Sequence, residues 1–322
     1  MTIPPSRWIR SLPTTTSWVV AACVLLSVCA AVAQQTDNPL VTARQLVMAG
    51  NAAASEQMLH DYIAKNPTSP DAYFLLGYVY FREDKPKESL AAFTAGARYR
   101  YPAADDLKVV ASDYVVLGDF PDAQKWFAKV TQERPNDADA WYLLGRTQYN
   151  EDQFADSIKS FEKSLALRPK NLEAENNLGL AWQALNNSAK AIAAYRQAIA
   201  WQAAHPVDAQ PYLNLGVLLS NQGHAEQAIP WLREAARLAP QNPRVHEEFA
   251  RALETSNHLP EAQHELEQAV ALAPEASGPH FKLGRLYERE GLRTLAQQQF
   301  AICQKLYGTH ATTTTPNPYS PN

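Results

Sequence analysis

An all-α solenoid of about eight helix–turn–helix repeats is the fold this sequence predicts, and three observations carry it. Pro67, Pro102, Pro135, Pro169, Pro206, Pro240 and Pro274 recur at intervals of 33 to 37 residues. Self-similarity at that period is the mark of stacked helical pairs. Once the chain is set in register, the fifteenth column reads Gly50, Asp84, Gly118, Asp152, Asn186, Gly223, Asn257 and Gly291. These are the residues that best tolerate a left-handed turn just past a helix end. Only 12 glycines are spread over 322 residues, which favours long helices over glycine-rich loops.

The repeats begin near Thr36, Pro70, Ala104, Ala138, Leu172, Ala209, Pro243 and Ser277, with three extra residues around Trp201 to Asp208. The seventh column is large and apolar (Leu76, Val110, Leu144, Leu178, Leu215, Phe249, Leu283). The eighth is small (Gly77, Ala111, Gly145, Gly179, Gly216, Ala250, Gly284). A glycine inside a helix costs up to ~1 kcal/mol of propensity against alanine, so close approach of the second helix is its expected compensation. The small column of that helix, Ser89, Ala123, Ser157, Ala191, Ala228, Ala262 and Ala296, is expected to face the glycines. One helical turn further along the same face lie Phe93, Phe127, Phe161, Tyr195, Leu232, Leu266 and Phe300. The proline near each repeat end stops the second helix.

The order Tyr73, Leu76, Gly77, Tyr80, Ser89, Phe93 and Tyr101-Pro102 resembles the tetratricopeptide repeat. Trp141, Leu144, Gly145, Ser157, Phe161 and Pro169 repeat the pattern, and the resemblance covers roughly Thr36 to His310. It implies a right-handed superhelical solenoid whose concave surface is lined by the first helix of each repeat. It also implies a scaffold that binds proteins or peptides, without naming a partner. Pro39 and Thr42 replace the aromatic and the leucine in the first repeat, so its first helix is expected to be short.

Residues 1–33 read as a secretory signal peptide: Arg7 and Arg10, then the apolar stretch Trp18 to Val32, then Ala31-Val32-Ala33. Cleavage between Ala33 and Gln34 leaves residues 34–311 as the solenoid and 312–322 as a disordered Thr/Pro-rich tail, in a periplasmic or secreted protein with no integral span. A lipoprotein at Cys23 or Cys29 and an uncleaved anchor are the alternatives. Cleavage moves the net charge from −4 to −6 and leaves Cys303 alone, so no internal disulfide can form. Cys303 falls in a small-residue column and is expected to be a buried structural thiol.

An acidic chain without a basic stripe is a poor binder of a phosphate backbone, which excludes nucleic acid. No Walker loop, G-x-G-x-x-G or G-x-S-x-G is present. His246-Glu247 and His264-Glu265 begin like the zinc-protease motif but lack its second histidine. No cofactor, metal or catalytic set is expected, and the histidines read as satisfied or solvated. Asp71, Asp105, Asp139 and Glu173 share the second column, where they favour the positive end of a helix.

Binding residues are sought among first-helix positions not needed for packing. Asn177 and Asn214 each precede a packed leucine, and this resembles the asparagine ladder of the O-linked N-acetylglucosamine transferases, whose side chains hold a peptide backbone. Arg146, Arg251 and Arg285 share the ninth column, and with Lys282 they suit a carboxylate. Neighbouring Glu247, Glu248, Glu254 and Glu288 are the competing partners of these cations. Tyr142 and Tyr149, with Phe74, Tyr78 and Phe81, suit an aromatic groove wall. The sequence thus predicts an exported, non-enzymatic scaffold for a protein or extended peptide. A self-associating structural solenoid is the alternative.

Overall fold

The turn column decides the architecture. In the computed structural model all eight of its residues adopt positive φ, from 57° at Asp84 to 81° at Gly50, and each reverses the chain between two helices. The structure describes residues 38–313, so the signal segment and the tail beyond Thr313 lie outside the described residues. Among the described residues there are sixteen helices and no strand.

Two compact units divide the described chain after Pro135. The first holds α1 (Pro39–Met48), α2 (Ala52–Lys65), α3 (Pro70–Arg82), α4 (Pro86–Ala97), α5 (Ala104–Val116) and α6 (Phe120–Glu133). The second holds α7 (Ala138–Asn150), α8 (Phe154–Leu167), α9 (Leu172–Ala184), α10 (Ser188–Trp201) and α11 (Gln210–Asn221). It continues with α12 (Ala225–Leu238), α13 (Pro243–Thr255), α14 (Leu259–Leu272), α15 (Ser277–Arg289) and α16 (Arg293–Thr313). Six first helices start at the expected residues, and α1 is the short one at 10 residues. Asn38, Asn51, Asp119, Asp137, Asn171, Asn187 and Asn242 cap their helices through side-chain oxygens. Each such cap contributes about 1 kcal/mol.

Within a pair, the glycine column meets the small column, as expected, and the bulky column as well. A Cβ on Gly145 would stand 2.7 Å from the Phe161 ring, and one on Gly179 would stand 2.7 Å from Cδ1 of Tyr195. Phe161 and Tyr195 are fully buried. The small column does a different job, letting backbone approach backbone. Its serines Ser55 and Ser89 donate to the carbonyls of Ala43 and Gly77 at 2.9 Å. The side chain one turn along fills the space over the bare Cα, a ring at Gly77, Gly145, Gly179 and Gly284 and Leu232 at Gly216.

Two further differences concern the ends. Helix α16 runs past Gly308 to Thr313, so the helix continues into what the sequence suggested was tail. Cys303 is half-buried and free, not sealed in a core. The same column in the two preceding repeats, Ala235 and Ala269, is fully buried. Among the described residues no later helix covers α16.

The three extra residues after Trp201 form a loop tied off by one side chain. Gln202, only 4% exposed, donates from Nε2 to the Asp208 carbonyl, and its Oε1 accepts from the amides of Val207 and Asp208. The loop therefore keeps its buried polar groups paired without regular structure.

One buried group has no such relief. Asp113 on α5 is 1% exposed, and neither carboxylate oxygen has a well-placed donor. Burial pushes its carboxyl up to about 6, with only slight opposition from the Ser89 hydroxyl, which already serves Gly77. The folded state therefore holds this proton more tightly than the unfolded chain, and stability falls as pH rises from about 4 to about 6. Asp113→Val should raise the stability of the first unit by ~1–3 kcal/mol at neutral pH and change it much less near pH 4. Urea unfolding at both pH values reads this, and a neutral-pH midpoint at or below wild type refutes it.

Gly179→Leu should cost ~1–3 kcal/mol, because a side chain must displace the buried Tyr195 ring. An unchanged urea midpoint would show that the pair can open at no cost.

Candidate functional site

Helices α7 and α9, the first helices of adjacent repeats in the second unit, bring four of the sequence-predicted residues together. Asn177 donates from Nδ2 to the Tyr142 hydroxyl at 3.2 Å. The Tyr142 ring leans on Phe161 at 6.1 Å between centroids, and the exposed Arg146 guanidinium stands over that ring at 5.7 Å. Tyr149 sits one turn beyond Arg146 and meets Phe154 edge-on at 5.3 Å. Arg146, Tyr149, Phe161 and Asn177 of this set line a recess of about 200 Å³ together with Asn150 and Leu180.

The electrostatics leave this recess able to receive a polar ligand. Among the described residues Arg146 has no ion pair, and the aromatic face beneath its guanidinium fixes its direction. Burial pushes the Tyr142 hydroxyl up, with Arg146 opposing and Glu173 reinforcing the shift, so it stays a neutral phenol near pH 7. The half-buried Asn177 spends one N–H on Tyr142 and has a second N–H and a carbonyl oxygen in reserve.

Asn214 has a different fate. It is 7% exposed, donates to Asn176 Oδ1 at 2.9 Å and accepts from Gln210 Nε2 at 2.9 Å. The expected second rung of an asparagine ladder is therefore an internal clamp between α9 and α11. Asn176 reaches it because that residue, and not Asn177, points into the packing between repeats.

The cations further along are separate from the recess. Arg251 pairs with Glu248 at 2.6 Å, and Lys282 pairs with Glu247. Those acids compensate both charges along and between α13 and α15. Arg285 is exposed and has no ion pair among the described residues. In the first unit, Phe74 is 4% exposed and stacked on Phe93, so it is core. Tyr78 and Phe81 lie 6.5 Å apart. Tyr78 also borders that unit's own groove of about 470 Å³, together with Arg44, Met48, Asp106 and Val109.

Arginine partners for the second-column acids escaped the sequence reading. Arg100, Arg134 and Arg168 bind Asp71, Asp105 and Asp139, each 29 residues apart, closing the open end of each pair. The 34-residue spacing of the three arginines was the available signal. Glu173 breaks the series: its counterpart position is Gln202, and its carboxylate instead acts on Tyr142.

Profiles described as tetratricopeptide repeat match residues 40–105, 111–171, 145–206 and 176–243, and a second such profile matches 219–282. The chain belongs to the tetratricopeptide repeat family. Protein FlbA of Caulobacter vibrioides is 27% identical over 160 residues, which is 39% of this chain and 26% of that protein. The CTR9 homolog of Arabidopsis thaliana is 26% identical over 226 residues, 68% of this chain and 20% of its own length. This tetratricopeptide repeat chain thus spans about a quarter or less of these curated relatives. Among solved structures, the C-terminal part of a TPR repeat-containing protein from Cytophaga hutchinsonii superposes with a TM-score of 0.60 at 17% identity, covering 74% of this chain and 97% of that one. PilW, a type IV pilus biogenesis factor, gives 0.56 at 20% identity over 67% of this chain and 94% of its own. At such identities the likeness is one of fold.

The two asparagines should separate in experiment. Asn214→Ala should cost ~1–3 kcal/mol by stranding the buried Asn176 amide. Asn177→Ala, at the open recess, should stay within ~0.5 kcal/mol of wild type. Chemical denaturation of both variants checks this, and equal losses would contradict the assignment.

Proposed function

We propose that this protein is an exported, non-enzymatic scaffold that holds a protein or extended peptide against the first helices of its second unit. The observation that carries the proposal is the Tyr142–Arg146–Asn177 arrangement. It combines an arginine with no acid partner among the described residues, an amide with spare donor and acceptor, and aromatic walls on a 200 Å³ recess. Such a set suits a peptide backbone passing the amide and a carboxylate meeting the guanidinium. Tetratricopeptide repeats build surfaces of this kind. Export rests on the leader-like residues 1–33.

The test is capture of a specific protein from cell-envelope extract by the mature chain, followed by titration of that protein. Arg146→Ala combined with Asn177→Ala should weaken the interaction by roughly five- to a hundred-fold. Undiminished affinity would place the working surface elsewhere, and N-terminal sequencing that finds Met1 instead of Gln34 would remove cleavage and export from the proposal.

A self-associating solenoid is the second reading, favoured by three exposed apolar residues at the start of α16 and along it. Leu292, Leu295 and Ile302 are 42%, 40% and 39% exposed. The equivalent positions of the preceding repeat hold the polar His258, Glu261 and Gln268. If these residues join copies, Leu295→Glu should abolish any concentration-dependent increase in sedimentation coefficient; a wild-type chain that stays monomeric throughout removes this reading.

A further inference from the structure

Successive repeats meet in a fixed register, and α12, α13 and α14 show it. Arg233 and Ala236 of α12, Phe249 of α13, and Glu261, His264 and Glu265 of α14 border one crevice of about 420 Å³. The second helix of one repeat thus seats against both helices of the next. Leu232 and Ala235 of α12 are fully buried, in one core with Val245 and Phe249 of α13. Arg233 crosses the contact to Glu261 at 3.2 Å.

The first repeat carries the same seat without its helix. Thr42, Ala54, Gln57 and Met58 stand 207 residues before Phe249, Glu261, His264 and Glu265, position for position. They line a groove between α1 and α2 that holds about 800 Å³, roughly twice the crevice that α12 narrows. Met58 in place of Glu265, with Tyr62 beside it, makes this seat more apolar than the one α12 occupies. Among the described residues no helix precedes α1.

The last repeat carries the matching helix without a seat. Phe300 and Cys303 of α16 take the places of Leu232 and Ala235, and of Leu266 and Ala269 in α14. Those four are sealed by the repeat that follows, whereas Phe300 and Cys303 are half-buried. The exposed Ala301 and Gln304 take the places of Arg233 and Ala236.

The two ends suit each other in charge. Ala301 replaces Arg233 and Ala54 replaces Glu261, so both halves of that ion pair are missing and neither end brings a lone charge to the contact. Helix α16 contains Arg293 and Lys305 and no Asp or Glu. Asp61, at the edge of the groove, accepts from the Gln57 amide at 3.1 Å and has no ion pair among the described residues. In a chain of net charge −4, an acid-free helix is the surface that approaches a second copy with least repulsion.

We propose that α16 of one copy seats in the α1–α2 groove of a second copy, head to tail, in the register that joins repeats within the chain. This rests on the self-association of the second reading above and names the surface that receives the helix. The chain's own leader is the competing occupant. Cleavage after Ala33 leaves only residues 34–37 ahead of Asn38, too few for a 14-residue second helix such as α12. Groove and helix are different patches, so a joined copy still offers one of each and association continues beyond a dimer.

Sedimentation velocity on the chain purified from its own cells, across a concentration series, tests this. The wild-type coefficient should rise with concentration below about 1 mM. Ala54→Arg with Gln57→Arg fills the groove, and Ala301→Arg with Gln304→Arg blocks the helix. All four positions are exposed or half-buried, so urea midpoints should stay at the wild-type value. Either double variant alone should associate at least about tenfold more weakly. Their equimolar mixture should form a dimer of one copy of each and stop there, because the intact helix of one meets the intact groove of the other. Should a double variant fold poorly, two substitutions in one chain decide: Ala54→Glu with Ala301→Arg copies the Arg233–Glu261 pair and should keep association within about threefold, whereas Ala54→Arg with Ala301→Arg should lose it. A wild-type chain monomeric to about 1 mM would overturn the proposal together with the second reading. Undiminished association of the groove variant, or a mixture that stays monomeric, would overturn the head-to-tail seat alone and leave self-association through Leu295 standing.

Discussion

A ring lying on a bare Cα is the contact on which everything else here depends. Where Gly77, Gly145, Gly179 and Gly284 stand in the first helix, Phe93, Phe161, Tyr195 and Phe300 of the second lie where a side chain would have been. That approach fixes the separation of the two helices, and the left-handed residue at the turn fixes their antiparallel return. Every remaining feature, from the serine bonds to Ala43 and Gly77 to the pairs between aspartate and arginine, requires the helices already to be at that distance.

Much of this was legible because it is periodic. A turn that demands positive φ leaves Gly, Asn or Asp at one column eight times over, and a helix that stops at proline marks the interval. What escaped depends on side-chain direction, which a column alone does not encode. Asn177 and Asn214 share a column, yet one borders the recess and the other is sealed beside Asn176. Arg168 lies 29 residues from Asp139, a separation that becomes contact only when the pair has folded. Asp113 stands in a column otherwise represented by Val79, Thr147 and Ala181, an exception whose cost appears only once its burial is known.

The recess on α7 and α9 owes its character to one such exception. In three repeats the second-column acid is consumed by its arginine, but Glu173 has no arginine to meet and turns its field on Tyr142. A phenol held neutral between Glu173 and Arg146 then anchors the Asn177 amide without exhausting it. The same scaffold position thus serves closure in one repeat and ligand presentation in another, which is how a repeated architecture acquires one distinctive place.

The loop after Trp201 shows how such an array tolerates changes in length. Its additional residues are absorbed by the Gln202 side chain, which satisfies Val207 and Asp208 on the spot. No register shift is passed into α10 or α11: Gly179 meets Tyr195 before the loop, Gly216 meets Leu232 after it, and the turn column continues at Asn186 and Gly223. Sequence growth is thereby confined to the joints between helix pairs. A lineage of such chains can lengthen a joint, and so vary the step from one repeat to the next, while inheriting the pairs intact.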